Sequence, residues 1–346
     1  MPLTRTRQLV LLPILAIVAI LAGCGSDDPA DTAAAAGSAA APGDAFPITI
    51  EHAFGTTEIA DSPQRVVAWG WGSADAAIAL GVVPVAIPHQ SYGGDGDGVL
   101  PWIRERLEED GHDVPTILPD AQEPSLEAIA AARPDLILAV YSGITDAEYD
   151  LLSKIAPTVA YPDEAWATPW RDTIEIVGQA LGRRTEAEEL LDDIDGAVAA
   201  EAEEHPELDG KTVAMVWNTA DTFYVYKPAD ARVQFTLDLG LKSPPSVEQL
   251  ASGGETFYYT LSHERLSELT SDILVSYADT KDASKAFLTS APAKTMTQVQ
   301  RGAVAEVTGT EFIAAVSPPT ALSLTWGLEE YIRALSGAAK AADAVQ

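Results

Sequence analysis

Cysteine is almost missing from this chain: Cys24 is the only one in 346 residues. No intrachain disulfide can form, so stability must come from packing. Basic side chains are scarce too, 21 Lys and Arg against 52 Asp and Glu, for a net charge of -31. A chain so acidic repels nucleic acid and anionic lipid, which excludes a nucleic-acid partner. There are 5 histidines, and His52, His112 and His205 lie in stretches that read as exposed. His263-Glu264-Arg265-Leu266-Ser267 starts like a zinc-protease helix, but Ser267 stands where the second metal-binding His is required. No Gly-x-Ser-x-Gly elbow and no Walker loop is present. The expectation is therefore a protein with no catalytic residues, no metal site and no intrinsic cofactor. Beyond the N-terminus, no apolar run is long enough to span a bilayer.

What is present begins with that N-terminus. Arg5 and Arg7 precede an apolar stretch over 9–21, and Leu21-Ala22-Gly23-Cys24 follows. A basic start, a short apolar run and a small-residue cleavage site make residues 1–23 a signal peptide. The ending resembles the lipobox of bacterial lipoproteins, which implies that Cys24 carries acyl chains and tethers the protein to the outer face of the cell membrane. Removing the two arginines of 1–23 takes the remainder from -31 to -33. Residues 24–44 are, after Cys24, Ala, Gly, Ser, Asp and Pro with one Thr and no aromatic, too poor in apolar surface to fold, and read as a solvated tether. With 47% hydrophobic residues the rest is globular and long enough for two cores.

Strand and helix signals alternate from there. Strands are expected at 65–69, 84–87, 116–118, 135–140 and 158–161, with helices at 73–80, 100–109, 125–132 and 146–155. Such alternation implies a mostly parallel sheet covered on both faces. From 168 to 205 only helical periodicity remains, broken at Gly182, with Thr185 placed to cap a helix running to about 204. Twenty helical residues reach roughly 30 Å, enough to join two lobes. Alternation then resumes, with strands at 211–216, 223–226, 272–277 and 303–307, and helices near 231–239 and 320–335. The reading is α/β: two similar lobes, each a mostly parallel sheet flanked by helices, joined by a single long linker helix. Its bounds are an N-terminal lobe over 45–168, a helical connection over 169–205 and a C-terminal lobe over 206–346.

The halves repeat a signature. Ser125-Leu126-Glu127 precedes a helix and then Asp135-Leu136-Ile137-Leu138; Ser262-His263-Glu264 precedes one and then Asp272-Ile273-Leu274-Val275. Glu and Asp are eight residues apart in both. Together with Ser62-Pro63-Gln64-Arg65-Val66-Val67, Ala79-Leu80-Gly81-Val82, Arg133-Pro134-Asp135 and Leu237-Asp238-Leu239-Gly240, in that order behind a lipobox, the chain resembles the substrate-binding lipoproteins of iron-siderophore ABC importers, a class shared with haem and cobalamin binders. The resemblance covers residues 45–337. It implies a ligand cleft between lobes that move little, and an ABC permease dimer as partner. It also implies that Glu127 and Glu264, one on each lobe, dock basic pockets of the two permease subunits. A Glu in a first helical turn also favours the helix dipole, which accounts for either residue alone but not for the matched pair.

Loops after strands should line the cleft. Trp69 and Trp71 follow the first N-lobe strand, in Trp69-Gly70-Trp71-Gly72; Tyr92 heads a Gly- and Asp-rich loop. Trp217 follows the first C-lobe strand, Tyr226 lies on its hairpin partner, Arg232 opens the next helix, and Tyr258 and Tyr259 precede the second Glu motif. Aromatic faces with one Arg suit a bulky metal chelate. Each aromatic taken singly also fits core packing. Trp326 is expected to pack the last helix on its own lobe. The Tyr92 loop is no calcium site, because counting from Asp95 the positions that need oxygen, Gly and Glu hold Val99, Leu100 and Arg106. The expected ligand is a ferric siderophore, bound and released unchanged; the alternatives are haem or cobalamin on the same scaffold, an envelope enzyme, and an adhesion or signalling lipoprotein. Among metal-ion binders of related design several His and acids hold a bare ion, whereas here His89 alone is expected near the cleft.

Overall fold

The computed structural model describes residues 45–344 apart from 220 and 254–256. The expected signal peptide, Cys24 and the tether lie outside the described residues. The described residues form one compact unit. Among the described residues no helix is long and apolar enough to cross a membrane.

The first elements, β1 (Ile48–His52) and β2 (Gly55–Ile59), form an antiparallel hairpin that the sequence reading did not anticipate. Ile48, Ile50 and His52 alternate inward against Ile59 and Thr57, the period of a half-buried strand. His52 is accordingly buried, not exposed as expected. Its Nε2 lies 2.9 Å from Thr57 Oγ1, which donates to the Thr158 carbonyl. Burial lowers the His52 pKa.

In the N-terminal lobe β3 (Val66–Ala68), β4 (Ala86–Ile87), β5 (Thr116–Ile117), β6 (Leu136–Ala139) and β7 (Thr158–Ala160) form a parallel sheet ordered β5-β4-β3-β6-β7. The central strands β3 and β6 are buried on both faces, which is why their sequences are continuous apolar runs. In the C-terminal lobe β8 (Val213–Asn218), β9 (Phe223–Tyr226), β10 (Tyr258–Thr260), β11 (Ile273–Ala278) and β12 (Val304–Thr308) are ordered β10-β9-β8-β11-β12. The order is that of the first lobe, except that β9 runs antiparallel to both neighbours.

The repeated Asp explains part of this likeness. Asp135, just before β6, accepts hydrogen bonds from the backbone N–H of Gln64 and Arg65, both at 2.8 Å, just before β3. Asp272, just before β11, accepts from the N–H and hydroxyl of Thr212, at 2.8 and 2.7 Å, just before β8. Each carboxylate clamps the start of its lobe's two central strands in register.

The helix Trp170–Leu181 ends at Gly182, whose φ of 66° is the left-handed conformation a C-terminal cap requires. The linker helix Arg184–Glu204 follows, 21 residues or about 30 Å long. Thr185 does not cap it. The helix begins two residues earlier, at Arg184, with Arg183 at the cap position and no side-chain cap bond. Ala187, Leu191, Ile194 and Val198 form its one buried stripe, while acids crowd the remaining surface. Arg171 fastens the linker to both neighbours, reaching Asp195 on it at 2.5 Å and Asp238, at the end of the C-lobe helix Ala231–Asp238, at 3.0 Å.

The C-terminal helix, Ser323–Asp343, runs further than expected because Ala338, Ala339 and Ala342 continue its buried face. Its first turns also touch the other lobe. Trp326 meets the ring of Trp102 on the N-lobe helix Pro101–Glu109, centroids 5.5 Å apart, which corrects its expected placement on its own lobe.

Candidate functional site

Four loops at the carboxyl ends of N-lobe strands reach one region. After β3 the chain passes through Gly70, where φ is 81° and an added Cβ would lie 2.3 Å from the Tyr141 carbonyl oxygen. Only glycine permits that approach. It lets the Trp71 N–H donate to the same carbonyl at 2.9 Å and sends the Trp71 ring across the interface, where Nε1–H donates to the Pro318 carbonyl at 3.1 Å. After β4 comes Tyr92, whose hydroxyl donates to Asp279 at 2.8 Å on the C-lobe and whose ring lies 6.3 Å from that of Trp217. Burial, then the Asp279 bond, holds this phenol well above its usual pKa. After β6 comes Tyr141, and after β7 comes Trp166, at φ 59° and 52% exposed, its ring set edge-on to Tyr141 at 5.9 Å.

The Tyr92 loop is held from within. Asp95 accepts from the Asp97 and Val99 N–H groups and is paired with Arg104 at 2.5 Å. Arg104 first, then the backbone bonds, bring the Asp95 carboxyl down to about 2 against the opposing effect of burial. Its charge is spent on building the loop.

On the C-lobe, Asp230 caps the helix Ala231–Asp238 by accepting from the Arg232 N–H at 2.9 Å, and its Oδ1 also pairs with Arg232 Nε at 2.7 Å. The Arg232 guanidinium lies 3.9 Å above the Tyr226 ring and 6.0 Å from that of Tyr277. Tyr277 in turn meets Trp217 at 6.1 Å and Tyr226 edge-on at 6.2 Å. Burial raises the Asp230 pKa even though Arg232 opposes it. Burial works against the Arg232 charge as well, but Asp230 and the tyrosines outweigh it and hold the guanidinium protonated.

Between these walls lies a cavity of about 790 Å³, counted with the space open to solvent. Tyr141, Trp166 and Thr168 face it from the N-lobe, and Asp230, Arg232, Gln234 and Phe257 from the C-lobe. Tyr141 is pushed up to about 12, by burial first and then by the Asp230 charge, with Arg232 pulling the other way. Its hydroxyl is therefore a neutral donor across the working pH range. An offset next to the cavity holds Trp71, Tyr141 and Trp170 around Pro318.

A buried bridge ties the lobes together beside the offset. Asp75, in the first turn of the helix Ser73–Ala79, accepts at one oxygen from Trp102 Nε1–H at 2.6 Å and from the Thr320 hydroxyl at 2.5 Å. Thr320 and Ser323 exchange backbone-to-hydroxyl bonds at 2.8 and 3.1 Å, which seats the segment carrying Pro318.

Of the residues anticipated from sequence, Arg232 lines the cavity; Trp71 lines the offset beside it; Tyr92, Trp217 and Tyr226 belong to the chain of rings that reaches Arg232; and Tyr258 packs between Tyr224 and Phe257. Two expectations are corrected. Trp69 is 7% exposed and extends β3 into the N-lobe core, its N–H bonded to the Leu138 carbonyl; Tyr259 is 1% exposed in the C-lobe core, on the opposite sheet face from Tyr258. Tyr141, Trp166, Phe257 and Asp230 were not anticipated. His89 does not line the cavity, and among the described residues no group of three or more His, Cys, Asp or Glu could hold a metal ion. Glu127 and Glu264 are exposed, and among the described residues neither is paired with a basic side chain. Each follows its lobe's edge strand, β5 or β10, at the carboxyl end, so the two occupy equivalent places.

Residues 66–309 match the family described as periplasmic binding protein. The chain is 28% identical over 280 residues, 80% of each protein, to a probable siderophore-binding lipoprotein, YfiY, of Bacillus subtilis. It resembles the crystal structure of Streptococcus pneumoniae PiaA in complex with ferrichrome, at 36% identity and a TM-score of 0.76, covering 85% of this chain and 99% of that one. It also resembles Staphylococcus aureus SirA complexed with staphyloferrin B, at 26% identity and a TM-score of 0.63, covering 83% and 95%.

Proposed function

The chain belongs to the periplasmic binding protein family, and from that premise we propose that it captures a ferric siderophore in the interlobe cleft and delivers it to an ABC importer. The observation that carries this reading is the two-walled cavity, roomy enough for a chelate and lined by rings with one fixed guanidinium. Rings supply apolar contact and the guanidinium supplies forked donors, while among the described lining residues none pairs a nucleophile with a base. The relatives are binding proteins, and this one leaves its ligand chemically unchanged.

Anchoring and docking complete the proposal. Cys24, lipidated after removal of 1–23, holds the protein on the outer face of the cell membrane, and Cys24→Ala is expected to release it into the medium. Glu127 and Glu264 each meet a basic pocket on one subunit of the permease dimer. Two separated carboxylates on a semi-rigid body fix orientation as well as affinity. Their equivalent placement after β5 and β10 supports this reading.

The deciding experiment is a tryptophan-fluorescence titration with ferric siderophores, haem and cobalamin. Saturable quenching by a ferric chelate at submicromolar concentration is expected. Silence toward all ferric chelates, or a shifted Soret or corrin band instead, refutes the siderophore assignment.

A further inference from the structure

We infer that the cleft selects ferric chelates without net negative charge, the condition met by trishydroxamates. The inference rests on the ferric-siderophore reading above and adds the ligand's charge class. Each hydroxamate gives up one proton to bind Fe³⁺, so three of them leave a neutral complex. Catecholates and α-hydroxycarboxylates give up two protons per arm, and their complexes are anions.

The cavity is poorly built for an anion. Among the described residues lining it, Arg232 is the one cation, and its Nε is already bonded to Asp230 at 2.7 Å. The pair is fixed from both sides: Asp230 also takes the Arg232 N–H, and the guanidinium rests on the Tyr226 ring. Arg232 can therefore offer its Nη donors to a ligand oxygen without offering net charge. Glu164 adds a carboxylate to the lining, and the adjoining rim holds Asp163 and Asp172. The other polar groups, Tyr141, Thr168 and Gln234, are neutral hydrogen-bonding partners, and Trp166 and Phe257 are uncharged faces. Around the whole site the chain carries a net charge of -31. A highly charged anionic chelate would enter against these carboxylates with no unpaired cation to receive it, whereas a neutral chelate loses nothing.

Fluorescence titrations of the protein with ferrichrome, ferric enterobactin and ferric citrate test this, at low and high salt and with Asp230→Asn. Asparagine is an equally good helix cap, so the substitution removes charge while keeping the fold's local bond. The wild type is expected to bind ferrichrome at least about a hundredfold more tightly than either anion, with the gap narrowing as salt screens the repulsion. Asp230→Asn leaves Arg232 with net charge in the wall and is expected to narrow the gap about tenfold or more. An anion bound as tightly as ferrichrome, or a preference indifferent to both salt and Asp230→Asn, overturns the inference and leaves the siderophore function standing. Silence from all three chelates in folded protein refutes the function itself, and the charge selection with it.

Discussion

Asp75 joins the lobes through a single oxygen, and two substitutions there separate hydrogen bonding from charge. Asp75→Ala strands the Trp102 indole N–H and the Thr320 hydroxyl, both buried, without their acceptor. Each buried donor left unsatisfied costs about 1–3 kcal/mol, so the variant should lose about 2–6 kcal/mol. With an unfolding entropy near 2.1 cal/mol/K per residue, a folded body of about 300 residues then melts about 3–10 °C lower. Asp75→Asn keeps an oxygen in place for both donors and imitates the protonated carboxyl, so it should match the wild type near about pH 4 and melt above it as pH rises. The two also differ from the wild type in pH dependence. Burial raises the Asp75 carboxyl above the ordinary aspartate value of about 3.9, with the Thr320 and Trp102 bonds pulling it down. The folded protein thus holds a proton where the unfolded chain has released it. This group's stabilisation is complete below about pH 4 and is lost as pH rises through the folded value. Asn cannot ionise, so Asp75→Asn removes that slope. Calorimetric melts of the three proteins from pH 4 to 8 decide the matter. An Ala variant melting within a degree of the wild type, or an Asn variant with the wild-type slope intact, refutes the reasoning.

Arg232→Met leaves Asp230 buried without its partner, a loss of about 3–5 kcal/mol. Because burial already raises Asp230 and Arg232 is what opposes it, the deficit should grow as pH rises from 5 to 8, which thermal melts across that range will read. Glu127→Ala and Glu264→Ala should each leave ligand affinity within about twofold, since surface changes far from a site add little, while uptake by whole cells falls. Loss of ligand binding in either variant removes the docking role. Trp71→Phe deletes the bond to the Pro318 carbonyl, worth about 1 kcal/mol. It should lower the melting temperature slightly and weaken chelate binding several-fold, and unchanged affinity by titration argues that this ring stands outside the ligand's reach.

The parallel frame was legible because its strands are continuous apolar runs between helical periods, and the linker because Gly182 isolates one long amphipathic stretch. The hairpin of β1 and β2 was equally written in the alternation of Ile48, Ile50 and His52, yet five residues give a weak signal. Adjacent aromatics were the real ambiguity. Tyr258 pairs with Tyr226 and Tyr259 with Val225, so neighbouring residues enter opposite faces of the sheet. Sequence says that one of the two is core, and only the register says which. Trp69 and Trp71 pose the same problem with the opposite geometry. Trp69 continues the β3 ladder beside Val67, and the left-handed turn at Gly70 then frees Trp71 from the strand's parity.

The two cleft walls differ in how far sequence can reach because their topologies differ. Trp71, Tyr92, Tyr141 and Trp166 each follow the carboxyl end of a parallel strand, so the rule that ligands sit outside those ends covers the whole N-lobe wall. Tyr141 and Trp166 fall under the same rule, but each stands between non-aromatic neighbours and carries no motif that marks it in the sequence. The C-lobe wall obeys the rule at Trp217, near the end of β8, and at Asp279, just past β11. Reversal of β9 hands Asp230, Arg232 and Phe257 to the long connection between β9 and β10, a placement no strand-end argument finds. The buried ion pair therefore sits in that connection, while the N-lobe supplies faces, neutral donors and the Glu164 carboxylate. A cleft divided in this way can change the charge of the chelate it accepts through a few residues near Asp230, without disturbing either sheet or the Asp135 and Asp272 clamps that hold them.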